Sequence, residues 1–307
     1  MKCVRKAIRK EMKLSIITIN YNNAAGLRRT LDSVAAQRLD GAEQAEATLE
    51  VEHVIIDGAS TDGSVEVIRD YATVHHTLYT IRWVSEKDTG IYNAMNKGVR
   101  AAKGEYVLML NSGDYFVDEH VVERILPELD GTDIVQGNAI IEQNGELRIH
   151  RGYGHSDLSF IEVQHGDFPH QATFARKSVF EQYGYFDESY RLIADTVFFF
   201  KALGLGNATF KYVDVHIAYF TPGGASDTQK DLQRKEHERM ETELLSIRLR
   251  HLCRVEEYKI VLWEKLHNSR FLWYGTMFLV HVYDLFHKRQ KRALSADKMD
   301  KFIPEAK

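Results

Sequence analysis

The stretch Glu86-Lys87-Asp88-Thr89-Gly90-Ile91-Tyr92-Asn93-Ala94-Met95-Asn96-Lys97-Gly98, followed shortly by Gly104-Glu105-Tyr106-Val107-Leu108-Met109-Leu110-Asn111-Ser112-Gly113-Asp114, decides the fold. Tyr106 to Leu110 is an apolar run of strand length that stops in a small polar turn. Asp114 therefore stands at the carboxyl end of a buried strand, where open α/β sheets keep their ligands. Gly90 to Ala102 carries helical spacing and ends at Lys103-Gly104, a common helix stop.

Toward the N-terminus, Leu14 to Asn20 is apolar and β-branched, Tyr21-Asn22-Asn23 breaks it, and Ala24 to Gln37 sets Leu27, Leu31 and Val34 on one helical face. Residues 38 to 50 read as a helix extension or surface loop. Val51 to Asp57 is a second strand, and the turn Gly58 to Ser64 offers caps for a helix over Val65 to Tyr71. Leu78 to Val84 is a third strand. This alternation predicts a parallel, doubly wound sheet over about the first 115 residues.

Downstream, Asp133 to Ile141 and Leu147 to Arg151 predict two strands joined at Asn144-Gly145, then a Gly- and His-rich loop up to Phe168. A strand over Gln171 to Ala175, helices over Lys177 to Tyr183 and Asp195 to Leu203, and a strand over Thr209 to Phe220 follow, closed by Pro222-Gly223-Gly224. The sheet is thus expected to become mixed. We divide the chain into a catalytic unit, residues 1–226, with halves at about 13–115 and 116–226, and a helical extension, 227–307.

A 307-residue chain of net charge -4 has an ordinary surface and gives no global sign of nucleic-acid binding. Cys3 and Cys253 lack metal-ligand spacing and fit a reducing compartment. The N-terminus is basic without a signal-peptide core, and no apolar stretch reaches the roughly 18 to 20 residues of a spanning helix. The expected location is cytoplasmic, with peripheral contact at the inner face of the membrane. Phe271, Leu272, Trp273, Phe278, Leu279, Val282, Leu285 and Phe286, followed by Lys288-Arg289-Gln290-Lys291-Arg292, suit an anionic membrane surface. Packing on the catalytic unit or in an oligomer would explain the same pattern.

Asp57, Asp88 and Asp114 fall at strand ends or just before a helix, which a parallel sheet gathers on one edge. A lone Asp after a strand is usually a turn-former; three on one edge suit a hard divalent cation, Mn2+ or Mg2+, shared with a diphosphate.

These segments together resemble the family 2 glycosyltransferases of the GT-A fold. The resemblance runs over roughly residues 13 to 226, through Ser15-Ile16-Ile17-Thr18-Ile19-Asn20-Tyr21-Asn22-Asn23, Val54-Ile55-Ile56-Asp57-Gly58-Ala59-Ser60-Thr61-Asp62-Gly63-Ser64, the two segments quoted first, and His170-Gln171-Ala172-Thr173-Phe174. It is closest in wording to bacterial members that build colanic-acid-like exopolysaccharide, capsule or O-antigen.

The resemblance implies a GT-A (Rossmann-like) mixed, mainly parallel sheet flanked by helices, with a C-terminal helical extension. It also implies a nucleotide-diphosphate sugar donor, an oligosaccharide or polyprenyl-linked acceptor, a metal ion, and inverting transfer. On matching positions, Asn20 and Tyr21 would contact the nucleoside and Asp57 the base or ribose. Asp88, Asn96 and Lys97 would line the adjoining helix start, Asn111, Ser112 and Gly113 the turn, and Asp114 would hold the metal. Asp195 would be the general base, with His170 and Gln171 shaping the acceptor pocket.

Three departures stand out. Asp57-Gly58 replaces Asp-Asp, Asn111-Ser112-Gly113-Asp114 replaces Asp-x-Asp-Asp, and Ala194-Asp195 replaces Glu-Asp. Asp187-Glu188 is a second candidate base, and His216 could reach the metal. Plainer roles also fit: Asp195 as a helix cap and His170 as a structural residue. Gly152-Tyr153-Gly154 lacks the flanking strand and helix of a dinucleotide fingerprint, and its loop is expected to cover the site after donor binding. Two other functions stay open. A sugar nucleotidyltransferase would carry a basic Gly-rich loop where Tyr21 to Gly26 stands; a catalytically weak nucleotide- or lipid-binding scaffold would tolerate the altered acidic motifs.

Overall fold

The computed structural model describes residues 12–38, 51–75, 80–143, 146–220 and 228–268. The expected turns at 144–145 and 222–224, most of the 38–50 segment, Cys3 with the basic N-terminus, and the apolar and basic stretch 271–292 lie outside the described residues.

Strand β1 (Leu14–Asn20) is buried along its whole length, as is β2 (Val51–Asp57), which pairs with it in parallel from Leu14↔Val51 to Asn20↔Asp57. Such continuous apolar runs are what a sheet covered on both faces requires. β3 (Thr80–Ser85) extends the sheet on the far side of β2, and β4 (Tyr106–Met109) pairs with β1, both in parallel. Helices α1 (Ala24–Ala35), α2 (Ser64–His75) and α3 (Ile91–Ala101) connect these strands. Leu27 and Leu31 of α1 pack with Ile55, Ile68 and Tyr71. A Cβ at Gly98 would overlap Ile17 Cγ2, so glycine lets α3 lie directly against β1.

Beyond β4 the sheet becomes mixed. β5 (Tyr115–Phe116), β6 (Ile134–Gln143), β7 (Glu146–His150), β8 (Thr173–Arg176) and β9 (Phe210–Phe220) complete it, and β6 pairs antiparallel with β8 but parallel with β9. The strand order is β3-β2-β1-β4-β8-β6-β9-β5, with β7 also on β6. The mixed sheet is as expected. Helices α4 (Val121–Ile125) and α6 (Lys177–Tyr183) flank it, and α7 (Ala194–Phe199) runs on into a π-helical turn, Phe200–Leu205.

One expectation is corrected here. The loop up to Phe168 contains helix α5 (Phe160–His165), closed by a capping box between Ser159 and Glu162 and a left-handed Gly166. The segment is also tied to its surroundings by side-chain contacts. The Tyr153 hydroxyl donates to Glu162 O at 2.6 Å and accepts from Asp167 N at 2.8 Å, and its ring packs on Phe168 and Phe210.

By its contacts the chain falls into two units, dividing after Met240. The first holds the sheet and most of α8 (Lys230–Leu244); the second holds α9 (Ile247–Asn268). No helix of the described residues is long and apolar enough to cross a membrane.

Candidate active site

The carboxyl ends of β1, β2 and β4 open on a cleft of about 640 Å³ whose walls include Asn20, Tyr21, Gly58, Asp88, Asn111 and Ser112. The volume is ordinary for a small-molecule site.

Asp57 forms the cleft's foundation and is fully buried. Its carboxylate accepts from Asn20 Nδ2 (2.8 Å), Ser60 Oγ (2.6 Å), Ser60 N (3.0 Å) and Ser85 Oγ (2.6 Å). Burial alone would raise its pKa; the hydrogen bonds from Ser60, Ser85 and Asn20 outweigh that and hold it below the usual carboxylate value. Both oxygens are thus engaged within the protein, tying the ends of β1, β2 and β3 together.

The same bond fixes the Asn20 amide. Its Nδ2 must face the carboxylate, which leaves Asn20 Oδ1 buried with no hydrogen-bond partner. A buried orphan acceptor costs about 1–3 kcal/mol, and a ligand N–H or O–H would relieve it. Tyr21 beside it is 70% exposed, a ring free to meet a planar ligand. Asn22 and Ala59 both take positive φ, 48° and 61°, and Asn22 Oδ1 accepts from Thr61 N at 2.8 Å, locking the two rim loops together.

Asp88 accepts from Lys97 Nζ at 2.7 Å, and Glu86 lies 2.8 Å from the same ammonium. Burial lowers the Lys97 pKa, but these carboxylates raise it above the ordinary lysine value. Asn96 is placed differently from the expectation that it lines the donor site. It is buried, donates to Phe186 O and Glu188 Oε1 at 2.9 Å each, and accepts from Phe186 N at 3.0 Å. Its work is to hold the 186–188 turn. Glu188 also accepts from Asn93 and Thr89, and Asp187 accepts from Ser189 N, so the second candidate base is already engaged in that turn.

The turn after β4 is shaped by a residue sequence reasoning did not single out. Thr30 Oγ1, on α1, donates to Asp114 O (2.7 Å) and accepts from Gly113 N (2.9 Å). Gly113 has φ +111°, which favours glycine there. Asp114, nearly buried, then points its Oδ2 at His170, 3.7 Å from Nε2. The other ring nitrogen, Nδ1, lies 3.9 Å from Asp195 Oδ2. Burial opposes protonation of His170, but its contact with Asp114 and the charge of Asp195 outweigh it and raise the pKa above the usual histidine value. The Asn111 side-chain amide lies 2.9 Å from His170 Nε2; as placed, its Nδ2 donates only to a ring unprotonated at Nε2, and this leaves Asn111 Oδ1 a second buried acceptor without a partner.

Asp195 sits in the first turn of α7. Its Oδ1 accepts from the Tyr92 hydroxyl at 2.9 Å. Burial and the adjacent Asp195 charge raise the Tyr92 pKa well above normal, so that hydroxyl stays a donor. Tyr92 lies inside the motif that decides the fold, yet nothing in its spacing distinguishes it from a core aromatic. An aromatic cluster seats α7 behind the site: Phe198 stacks on Phe180 (4.2 Å between centroids) and Phe199 on Phe168 (4.7 Å). Gln171 is buried beneath His170 in the turn leading to β8. His216 lies on β9 with its Nε2 buried and unpartnered. A smaller cleft of about 270 Å³ adjoins the first across Thr89, Gly90 and Ile91, and is lined by Tyr92, Glu188, Tyr190 and Arg191.

A cleft at parallel strand ends, with two carboxylates facing one imidazole beside it, defines an α/β protein built to hold a small molecule. The Glycosyl transferase family 2 model matches residues 15–197, and the chain belongs to that family: it is a glycosyltransferase of the GT-A fold. An uncharacterized glycosyltransferase of Mycobacterium tuberculosis is 32% identical over 191 residues, covering 62% of this chain and 68% of that protein. A PGL/p-HBAD biosynthesis glycosyltransferase of Mycobacterium bovis is 30% identical over 222 residues, covering 71% and 80%.

Among solved structures, S. aureus TarS 1-349 in complex with UDP-GlcNAc superposes with a TM-score of 0.56 at 19% identity, over 70% of this chain and 60% of that one. The mannosyltransferase PcManGT of Pyrobaculum calidifontis, in complex with GDP-Man and Mn2+, gives 0.55 at 18%, over 75% and 62%. This chain therefore spans about three fifths of each of these two solved chains.

Proposed function

We propose that this protein is a metal-dependent, inverting glycosyltransferase that moves one sugar from a nucleotide-diphosphate sugar to a hydroxyl of a lipid-linked oligosaccharide in bacterial surface polysaccharide synthesis. The observation that carries the reading is the single imidazole of His170 between Asp114 and Asp195. In this reading the leaving group lies on the Asp114 side of the imidazole and the base on the Asp195 side.

In this reading the nucleoside lies against Tyr21, where the orphan Asn20 Oδ1 accepts one of its donors. The acceptor hydroxyl oxygen attacks the anomeric carbon, the bond to the diphosphate breaks, and Asp195 Oδ2 takes the proton. One displacement inverts the anomeric centre without a covalent enzyme intermediate. Tyr92 keeps the carboxylate aimed and His170 spaces it from Asp114.

The residues fit a hard divalent ion. Asp114 offers a carboxylate and Asn111 Oδ1 an unpartnered carbonyl oxygen, while no group of three or more His, Cys, Asp or Glu gathers among the described residues. Such an ion would be completed by diphosphate and water. The chemistry it supplies when bound is stabilisation of the charge left on the diphosphate. Mn2+ with GDP-Man in one neighbour and UDP-GlcNAc in another support this class of donor and ion.

The test is a melting screen with nucleoside diphosphates and their sugars, with and without Mn2+. A ligand at 100 times its Kd adds about 2.7 kcal/mol, or roughly 4 °C for a chain of this size. At least one sugar nucleotide should give such a shift with Mn2+, together with release of its nucleoside diphosphate. No shift from any of them would end the proposal.

A further inference from the structure

The turn that presents Asp195 is held from outside the family's matched segment, which ends at residue 197. Helix α8 reaches back to it. Glu236 is buried, and its two carboxylate oxygens accept from the backbone N–H groups of Arg191 (2.7 Å) and Leu192 (2.9 Å). One turn along, Arg239 stacks over the Tyr190 ring at 4.2 Å and donates to Ser189 O (3.2 Å) and Ser189 Oγ (2.9 Å). Residues 189 to 192 are thus gripped through backbone and side chain three residues before the proposed base.

A buried carboxylate is costly unless its hydrogen bonds are filled. Glu236 makes no ion pair among the described residues; two peptide N–H groups satisfy it instead. Charge-assisted bonds of this kind are short and directional, so they fix the path of the chain. Helix α7 offers little else at that end: its N-cap, Ile193, has no side-chain cap, and the helix is six residues long. The turn's backbone would otherwise be free to shift Asp195, and displacements near 1 Å cost catalysis heavily.

We infer that Glu236 is a positioning residue for the transfer reaction, acting through Asp195 by fixing the Arg191–Leu192 turn. The inference rests on the reading of Asp195 as the base. It adds that the helix after the GT-A sheet is part of the catalytic apparatus rather than an appendage. Sequence gives no hint of it, since Glu236 sits in a densely charged helix where every acidic residue looks solvated.

The test uses the full chain and the sugar nucleotide that gives the largest shift in the melting screen. Glu236→Ala should slow nucleoside diphosphate release about 10- to 100-fold, leave the affinity for that sugar nucleotide within twofold, and speed hydrogen exchange at the Arg191 and Leu192 amides. Combined with Asp195→Asn it should add nothing further, because both changes act through one group. If Glu236→Ala does not fold, Glu236→Gln, which can still accept from one of the two amides, is measured the same way with a smaller expected loss.

Turnover within twofold of the unchanged protein, affinity lost in proportion to rate, full additivity with Asp195→Asn, or unchanged exchange at the two amides would each overturn the inference. Asp195→Asn with full activity would instead remove the base itself. Exchange at Arg191 and Leu192 would then still decide whether Glu236 holds the turn.

Discussion

The donor side of the sheet and the acceptor side secure their functional groups in opposite ways. On the donor side, from β3 to β4, residues close in sequence to a strand end do the holding: Asp57 takes Ser60 three residues on, and its other partners, Asn20 and Ser85, are the last residues of neighbouring strands in register with it. On the acceptor side Asp195 has one local contact, from the Thr196 N–H to Oδ1 at 3.0 Å, and its other supports are distant in sequence. These are Tyr92, 103 positions away, and His170, together with aromatic rings from α6, the loop before β8 and the turn before α7. The lesson is that a parallel sheet builds a ligand cradle from its own strand ends, whereas a base on a short helix must be braced by the rest of the molecule.

This contrast can be broken at several points. The largest effect should come from Asp195→Asn, which removes a proton acceptor worth about 10²–10⁴-fold. Transfer should fall by that factor while nucleoside diphosphate still raises the melting temperature; initial rates and melts on one preparation decide it, and retained transfer removes the base. Next, Asp114→Ala should lose the Mn2+-dependent part of the melting shift and about 10²-fold in turnover, a few kcal/mol of barrier. A fully active variant would take the metal role away from Asp114.

Asp57→Ala tests the cradle rather than the chemistry. Leaving Asn20, Ser60 and Ser85 without their shared acceptor should cost about 2–4 kcal/mol, which lowers the melting temperature by roughly 3 to 6 °C. The folded pKa of Asp57 lies below its unfolded value. Its stabilisation is therefore complete above the unfolded value of about 3.9 and is lost as pH falls through the folded one. Urea melts from pH 7 down to 3 should show the gap between protein and variant closing only at the acid end.

The smallest effect concerns the segment before β8. The hydrogen bond from His150 to Asp167, 2.7 Å, raises the His150 pKa against the opposing effect of burial. Here the sign reverses: stabilisation is full below about pH 6.5 and disappears as pH rises through the folded value. Both side chains are more than a third exposed or close to it, so the gain is under about 1 kcal/mol. Asp167→Asn should flatten this pH dependence of the melting temperature between pH 6 and 8; an unchanged slope would show that the pair contributes nothing.

Much of the donor side was legible in the chain. β1, β2 and α6 fall on their expected residues, because unbroken apolar runs bounded by polar turns have few other readings. Asn20, Tyr21, Asp88, Asn111 and Ser112 line one cleft because each ends a strand or opens a helix on the same edge. Helix α5 was not legible, since its six residues are too few for a period to show against the surrounding Gly and His. Nor were the functions of Asn96 and Asp57 as internal fasteners. Residue type and position announced polar groups at a site, but burial and partner choice turned both inward.

The sequence by itself determined the alternation of strands and helices as far as β4, the family, and which acidic residues stand at strand ends, because these depend on periodicity and local turn chemistry. Only the tertiary structure decided that His170 lies between Asp114 and Asp195, that Tyr92 and Thr30 belong to the site, and that Glu236 holds the base-bearing turn. Those contacts join residues 25 to 103 positions apart. No local pattern encodes such a pairing; it exists only once the core has packed and brought the elements to fixed distances.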